Sequence, residues 1–122
     1  MTKLLVIDDD INLLKFLSEG LSRFGFDVKT LDNGADAIVL AVEESFDLIL
    51  IDMLMPGLNG IQVAKVLKKI VPGVPILGLT GYVGKGYVAQ ASMLGVKILS
   101  KPVVFKELVS EINLALEASH QG

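Results

Sequence analysis

Hydrophobic and polar positions along the 122-residue chain alternate between two periods. Short runs of Leu, Ile and Val, bounded by turn residues or charges, predict buried β-strands. Two of them, DLILID and VPILGLT, are apolar at consecutive positions, which is typical of strands covered on both faces of a parallel sheet. The predicted strands cover residues 3–8, about 26–31, 46–51, 74–79 and 96–100.

Helical patterns fill the intervals between these strands. Turn residues in RFGFD, DNGAD and VPGVP separate the helices from the strands, and the final EASHQG is expected to fray. Five β-then-α units in a row predict an α/β fold, a single doubly wound sheet of five parallel strands with five helices on its two faces. The apolar stripes of the first, third and last helices are Leu14, Leu17, Leu21 and Phe24; Ile61, Ala64, Leu67 and Ile70; and Phe105, Leu108, Val109, Ile112 and Leu116.

Composition narrows the class of protein. Hydrophobic residues make up 52% and charged residues 20%, which argues against disorder and fits one domain over residues 1–122. Mean hydropathy is +0.61, but no apolar run approaches the roughly 18 residues of a membrane span, because Asp8, Asp47 and Asp52 interrupt the best candidates. The N-terminus MTKLLVIDDD has too short an apolar core for a signal peptide, so we expect a cytoplasmic protein without membrane contact.

The lack of cysteine excludes disulfides, thiolate metal sites and cysteine nucleophiles. The formal net charge is −3, the pI is near 5.0, and no dense basic run occurs. Direct nucleic-acid binding by this chain is therefore not expected.

Chemically active side chains close four of the five predicted strands. Asp8 and Asp9 follow the first strand, Asp52 the third, Thr80 the fourth and Lys101 the fifth. In a doubly wound sheet the carboxyl ends of the strands form the ligand-binding edge. We therefore expect these five side chains to form one site.

The three aspartates in VIDDD need a compensating partner, because crowded carboxylates at the end of a buried strand repel one another and lose hydration. Together with Asp52, Asp8 and Asp9 offer the oxygens that Mg²⁺ prefers. A simpler alternative is that the run only caps the first helix, and we assign Asp10 to that role or to support of the metal ligands.

Asp52 is the best candidate for a nucleophile, because it is a single acid within the apolar sequence LILIDMLMPG. A carboxylate nucleophile can form an aspartyl phosphate. The attacked phosphoryl group then needs its oxygens neutralised, for which Lys101 can supply an ammonium and Thr80 a hydroxyl donor.

The motifs VIDDD, LIDMLMPGLNG, ILGLTG and LSKP, in this order, resemble the receiver domains of two-component response regulators, the chemotaxis regulators among them, from end to end of the chain. The resemblance implies a flavodoxin-like strand order 2-1-3-4-5. It also implies that Mg²⁺ is held by Asp8, Asp9, Asp52 and the backbone carbonyl of Leu54, and that Asp52 accepts the phosphoryl group.

The resemblance further implies that Thr80 and Lys101 bind the phosphoryl oxygens, and that the Lys101–Pro102 peptide is cis. The phosphodonor would be a phosphohistidine on a sensor histidine kinase or a phosphotransfer protein. The conformational switch would control an output partner or an output domain elsewhere in a larger protein. The chain would assist its own phosphorylation and dephosphorylation without turning over an external substrate.

Three positions depart from the family pattern. Ile98 stands where receivers usually carry Tyr or Phe, so the usual coupling between threonine and aromatic ring is not expected. Tyr82 is a candidate to take part of that role. Leu54 and Tyr82 flank the expected phosphoryl position with apolar bulk that hinders an attacking water, which predicts a long-lived phosphoryl group.

Two other functions remain as alternatives. An aspartyl-phosphate phosphatase usually needs a second acid two residues after the nucleophile, where this chain has Leu54. A degenerate receiver would bind partners independently of phosphorylation. An apolar patch that includes Tyr87, Val88, Ile98 and Val103 is either ordinary core packing or a partner surface, such as a homodimer through residues 84–110.

Overall fold

The computed structural model describes residues 1–81 and 85–121. Its five strands are β1 (Lys3–Ile7), β2 (Asp27–Leu31), β3 (Leu48–Asp52), β4 (Ile76–Thr80) and β5 (Lys97–Ser100). They form one parallel sheet in the order β2-β1-β3-β4-β5. The predicted α/β fold and strand order are confirmed.

Two strands begin later than the apolar runs predict. β3 begins at Leu48 and β4 at Ile76, although the apolar runs start at residues 46 and 74. The N–H of Val74 donates to the carbonyl of Val71 at 3.1 Å, so this residue belongs to the turn that leads into β4. Phe46 is buried in the core without joining the sheet. An apolar run therefore marks burial rather than strand pairing.

Five helices connect or follow the strands: α1 (Ile11–Arg23), α2 (Gly34–Glu43), α3 (Gly60–Ile70), α4 (Lys85–Met93) and α5 (Phe105–Gln121). The first three begin at side-chain caps. Asp10 accepts from the N–H groups of Asn12 and Leu13, and Asn33 accepts from that of Asp36. Asn59 forms a reciprocal capping box with Gln62. These caps satisfy N–H groups that have no partner inside the helix.

Side chains of each central strand alternate between two hydrophobic clusters. In β1, Leu4 and Val6 point into the cluster covered by α1 and α5, while Leu5 and Ile7 point into the one covered by α2, α3 and α4. All four are fully buried or nearly so. Burial on both faces explains why β1, β3 and β4 are apolar without alternation.

Three expectations about the helices are wrong. Phe24 does not continue the buried stripe of α1: the helix ends at Arg23, Phe24 is its C-cap, and its side chain is 56% exposed. Ile70, the last residue of α3, is also exposed. The EASHQG segment remains helical to Gln121, and the Ser119 hydroxyl donates to the carbonyl of Gly73 at 3.2 Å.

No helix in the described ranges is long and apolar enough to cross a membrane. Tyr82, the candidate substitute for the aromatic switch residue, lies outside the described residues.

Candidate functional site

The register of the sheet brings the predicted site residues to one edge. Ile7 pairs with Ile51, so Asp8 and Asp52 lie at the same level on β1 and β3. Thr80 is the last residue of β4 and pairs with Ser100, which places Lys101 just beyond it. The N–H of Lys101 donates to the Thr80 carbonyl at 2.8 Å. Strand pairing therefore fixes the backbone of all four residues.

The three acids form one cluster. Carboxylate oxygens of Asp8, Asp9 and Asp52 all lie within 4.8 Å of one another. Asp8 is completely buried and Asp52 is 4% exposed, whereas Asp9 is open to solvent. The backbone N–H of Asp10 donates to Asp8 Oδ1 at 2.9 Å, and that of Leu54 donates to Asp52 Oδ1 at 3.3 Å. Each buried carboxylate is thus oriented by the chain that follows it.

Lys101 balances part of this negative charge. Its Nζ lies 3.1 Å from Asp8 Oδ2 and 3.5 Å from Asp52 Oδ2. The side chain is 24% exposed, so the ammonium is only partly hydrated. The following Lys101–Pro102 peptide bond is cis, as expected. One ammonium is therefore shared by the two buried acids.

Burial and charge shift the pKa values of the two central groups. Desolvation, followed by repulsion from Asp8, raises the pKa of Asp52 from 3.8 to about 6, although Lys101 and the Leu54 N–H act in the opposite direction. Burial disfavours the Lys101 ammonium, but its hydrogen bond to Asp8 and the charge of Asp52 outweigh burial and raise its pKa. Asp52 is consequently ionised at neutral pH only against a cost.

A glycine behind the site permits the close approach of α3 to β3. A Cβ at Gly60 would overlap the carbonyl oxygen of Asp52 and the Cα of Met53, and the Gly60 N–H donates to the Met53 carbonyl at 3.1 Å. The sequence marks Gly60 only as a helix start. The motif LIDMLMPGLNG does indicate this role. Its last glycine stands at the point where the backbone returns to the strand that ends at the acid.

Ile98, the unusual residue of β5, is partly buried and packs against the cluster on the α2–α3–α4 face. Its Cγ1 would lie 3.3 Å from a Cβ at Gly78, in the middle of β4. Ile98 is therefore a packing residue between two strands in this structure.

A five-stranded sheet in this order, with acids, a threonine and a lysine at its carboxyl edge, defines the class of receiver domains. Residues 4–113 match the family model of the response regulator receiver domain. The chain belongs to this family, which serves two-component systems and whose general function is phosphorylation on an aspartate.

Individual relatives agree with this assignment. The chain is 34% identical over 120 residues to the response regulator receiver protein CpdR of Brucella abortus, covering 98% of this chain and 100% of CpdR. It is 40% identical over 124 aligned positions to the transcriptional regulatory protein CpxR homolog of Haemophilus influenzae, covering 98% of this chain and 52% of the relative. A solved receiver domain from Clostridium thermocellum is 30% identical, with a TM-score of 0.94 over 99% of this chain and 98% of that one.

The chain spans about half the length of several curated relatives that it matches, among them the CpxR homolog and CusR of Escherichia coli.

Proposed function

We propose that Asp52 is the phosphoacceptor of this receiver domain. Its carboxylate closes β3, is almost fully buried, and has one oxygen held by the Leu54 N–H and the other 3.5 Å from the Lys101 ammonium. A carboxylate oxygen attacks the phosphorus of a phosphohistidine, so that an O–P bond forms while the N–P bond breaks, and the departing ring nitrogen takes up a proton from solvent to leave as imidazole. The pairing of Asp52 with Lys101 is the observation that carries the proposal.

The acidic cluster fits Mg²⁺ by the chemistry of its donors. It presents carboxylate oxygens from three residues, and the exposed Asp9 leaves one side open for the waters that Mg²⁺ retains. Asp8, Asp9, Asp52 and the backbone carbonyl of Leu54 would hold the ion. When bound, Mg²⁺ supplies positive charge that neutralises phosphoryl oxygens.

Lys101 and Thr80 are proposed to bind the transferred phosphoryl group. The ammonium already lies between the two buried acids. A small displacement away from Asp8 would bring it to an oxygen of the phosphoryl group on Asp52. Thr80 is 1% exposed at the end of β4, and its carbonyl is bonded to the Lys101 N–H. This hydrogen bond ties the backbone of Thr80 to that of Lys101.

Residues 1–122 would act as a phosphorylation-controlled switch in the cytoplasm. The phosphodonor is a sensor histidine kinase or a phosphotransfer protein, and the output is a partner protein or a domain of a larger chain. No turnover of an external substrate is expected, because Leu54 stands where a phosphatase of this type needs an acid. Phosphorylation-independent binding is not favoured, because the acids, the threonine and the lysine are all in place. Neither nucleic acid nor a membrane is an expected partner.

Phosphorylation with a small-molecule donor tests the site. The protein is incubated with acetyl phosphate and Mg²⁺, and intact-mass spectrometry follows the addition of one phosphoryl group. Wild type and Asp27→Asn, which removes an exposed carboxylate from the start of β2, should both react, whereas Asp52→Asn should not. Chelation of Mg²⁺ should stop the reaction of wild type. Undiminished phosphorylation of Asp52→Asn would overturn the assignment.

A further inference from the structure

The outer surface of α2 and α3 is unusually apolar for a surface that no described part of the chain covers. Val39 and Val42 of α2 are 56% and 69% exposed, and Val66 and Ile70 of α3 are 38% and 40% exposed. The inner face of α2 is apolar as well, so this helix is hydrophobic around most of its circumference. Helices of that kind are normally covered on both sides.

Charges of opposite sign flank these apolar residues. Asp36 and Glu43 are exposed on α2, and Lys65 and Lys69 are exposed on α3. Although α2 packs beside α3, none of the ion pairs between described residues involves Glu43, Lys65 or Lys69. An acidic helix therefore lies next to a basic one without pairing within the protomer.

One acidic and one basic residue also match in level along the two helices. α2 and α3 follow β2 and β3, whose carboxyl ends share one edge of the sheet, so both helices start near that edge. Glu43 is the tenth residue of α2, and Lys69 is the tenth residue of α3. A two-fold axis parallel to the helices and between them would place the α2 of one protomer against the α3 of another, running in the same direction.

We propose that the α2–α3 surface binds a second copy of this chain. In this isologous dimer Glu43 of one protomer lies near the partner's Lys69, and the exposed valines and Ile70 are buried between the helices. A second copy is the favoured occupant because the surface carries both halves of a complementary charge pattern. A partner of a single charge sign would match only one of the two helices.

The dimer should be weak and sensitive to salt. A helix of 10 or 11 residues is about 15 Å long, so two such helices give an interface near the lower limit for specific association. Ion pairs at the rim are screened by added salt. This surface is separate from residues 84–110, for which the sequence leaves core packing and a homodimer surface open as alternatives.

Sedimentation velocity over a range of protein concentrations, at low and high salt, tests the proposal. Wild type should show a concentration-dependent dimer that weakens in high salt. Val42→Lys should raise the dissociation constant at least tenfold. Val88→Lys is the matched control, because it makes the same change at an exposed valine of α4 within residues 84–110. Circular dichroism checks that both variants are folded.

Charge reversal gives the sharper result. Glu43→Lys and Lys69→Glu should each weaken self-association, because each places like charges opposite one another. An equimolar mixture of the two variants should dimerise again, because every facing pair is then of opposite sign. A monomeric wild type at all concentrations, or a dimer that is lost in Val88→Lys but kept in the α2 and α3 variants, would overturn the proposal.

Discussion

Replacing Asp52 by Asn should stabilise the metal-free protein at neutral pH, because it removes a charge that burial and Asp8 disfavour. The folded-state pKa of about 6 lies above the value of 3.8 for an unperturbed carboxyl. Protonation of Asp52 therefore favours the folded state. The stabilisation that protonated Asp52 gives the folded state is fully present below pH 3.8 and is lost as the pH rises through about 6.

The magnitude follows from the pKa difference. The difference between a pKa of 3.8 and one of about 6 corresponds to a loss of about 3 kcal/mol in the free energy of unfolding at pH 7.5, where Asp52 is ionised in both the folded and the unfolded state. Water that reaches the exposed Asp9 side of the cluster screens part of this repulsion, so we expect Asp52→Asn to gain about 2 to 3 kcal/mol. At pH 4.5 the stabilisation by Asp52→Asn should fall to about 1 kcal/mol or less, because Asp52 of the folded wild type is then protonated.

Urea unfolding in the presence of a chelator, at pH 7.5 and at pH 4.5, measures both values. Asp27→Asn controls for the loss of one negative charge from a chain of net charge −3, and should change stability by no more than about 0.5 kcal/mol. Adding Mg²⁺ at pH 7.5 should stabilise wild type more than Asp52→Asn, since in the proposed site the ion would bind the acids of the folded state. If Asp52→Asn is no more stable than wild type at pH 7.5, or if its gain does not depend on pH, the electrostatic reasoning is wrong.

Three further predictions address the surroundings of the site. Gly60→Ala should cost about 1 to 3 kcal/mol in urea unfolding and slow phosphorylation of Asp52 by acetyl phosphate, because the added methyl group displaces backbone; unchanged stability and rate would contradict the close approach. Asp10→Ala should cost about 1 kcal/mol through loss of the α1 cap, yet leave Mg²⁺ affinity within about twofold when measured by titration calorimetry; a large loss of affinity would give Asp10 a role in the metal site. Leu54→Asn should shorten the lifetime of the phosphorylated protein several-fold by mass spectrometry, because it admits water beside Asp52; an unchanged or longer lifetime would refute the shielding role.

The clustering of the candidate site residues could be predicted because strand ends carry positional information. A parallel sheet brings residues that follow different strands to the same edge, so strand assignment alone predicts the grouping of Asp8, Asp52, Thr80 and Lys101. The sequence does not predict the geometry of the side chains. Nothing in the sequence indicates that Lys101 lies nearer to Asp8 than to Asp52.

The errors arise where a local pattern ends. Helical spacing places Phe24 on the buried stripe of α1, but spacing does not specify where the helix stops, and Gly25 with its φ of 90° turns the chain there. Ile70 is exposed for a related reason, since it is the last residue of α3. The charge pattern of the α2–α3 surface is not visible in the sequence, because it depends on which helices become neighbours.

One lysine is insufficient to neutralise the negative charge of this site. When ionised, three carboxylates and one ammonium leave a net charge of −2 around Asp52. Lys101 lowers the pKa of Asp52 but does not restore its ordinary value, so the ammonium alone does not offset burial and Asp8. A divalent cation would make the site neutral before phosphoryl transfer. The phosphoryl group would then add negative charge, which further hydrogen-bond donors would have to stabilise. In the proposed function Lys101 and the buried Thr80 would supply those donors, which would account for an acid cluster, a lysine and a hydroxyl at one edge of the sheet.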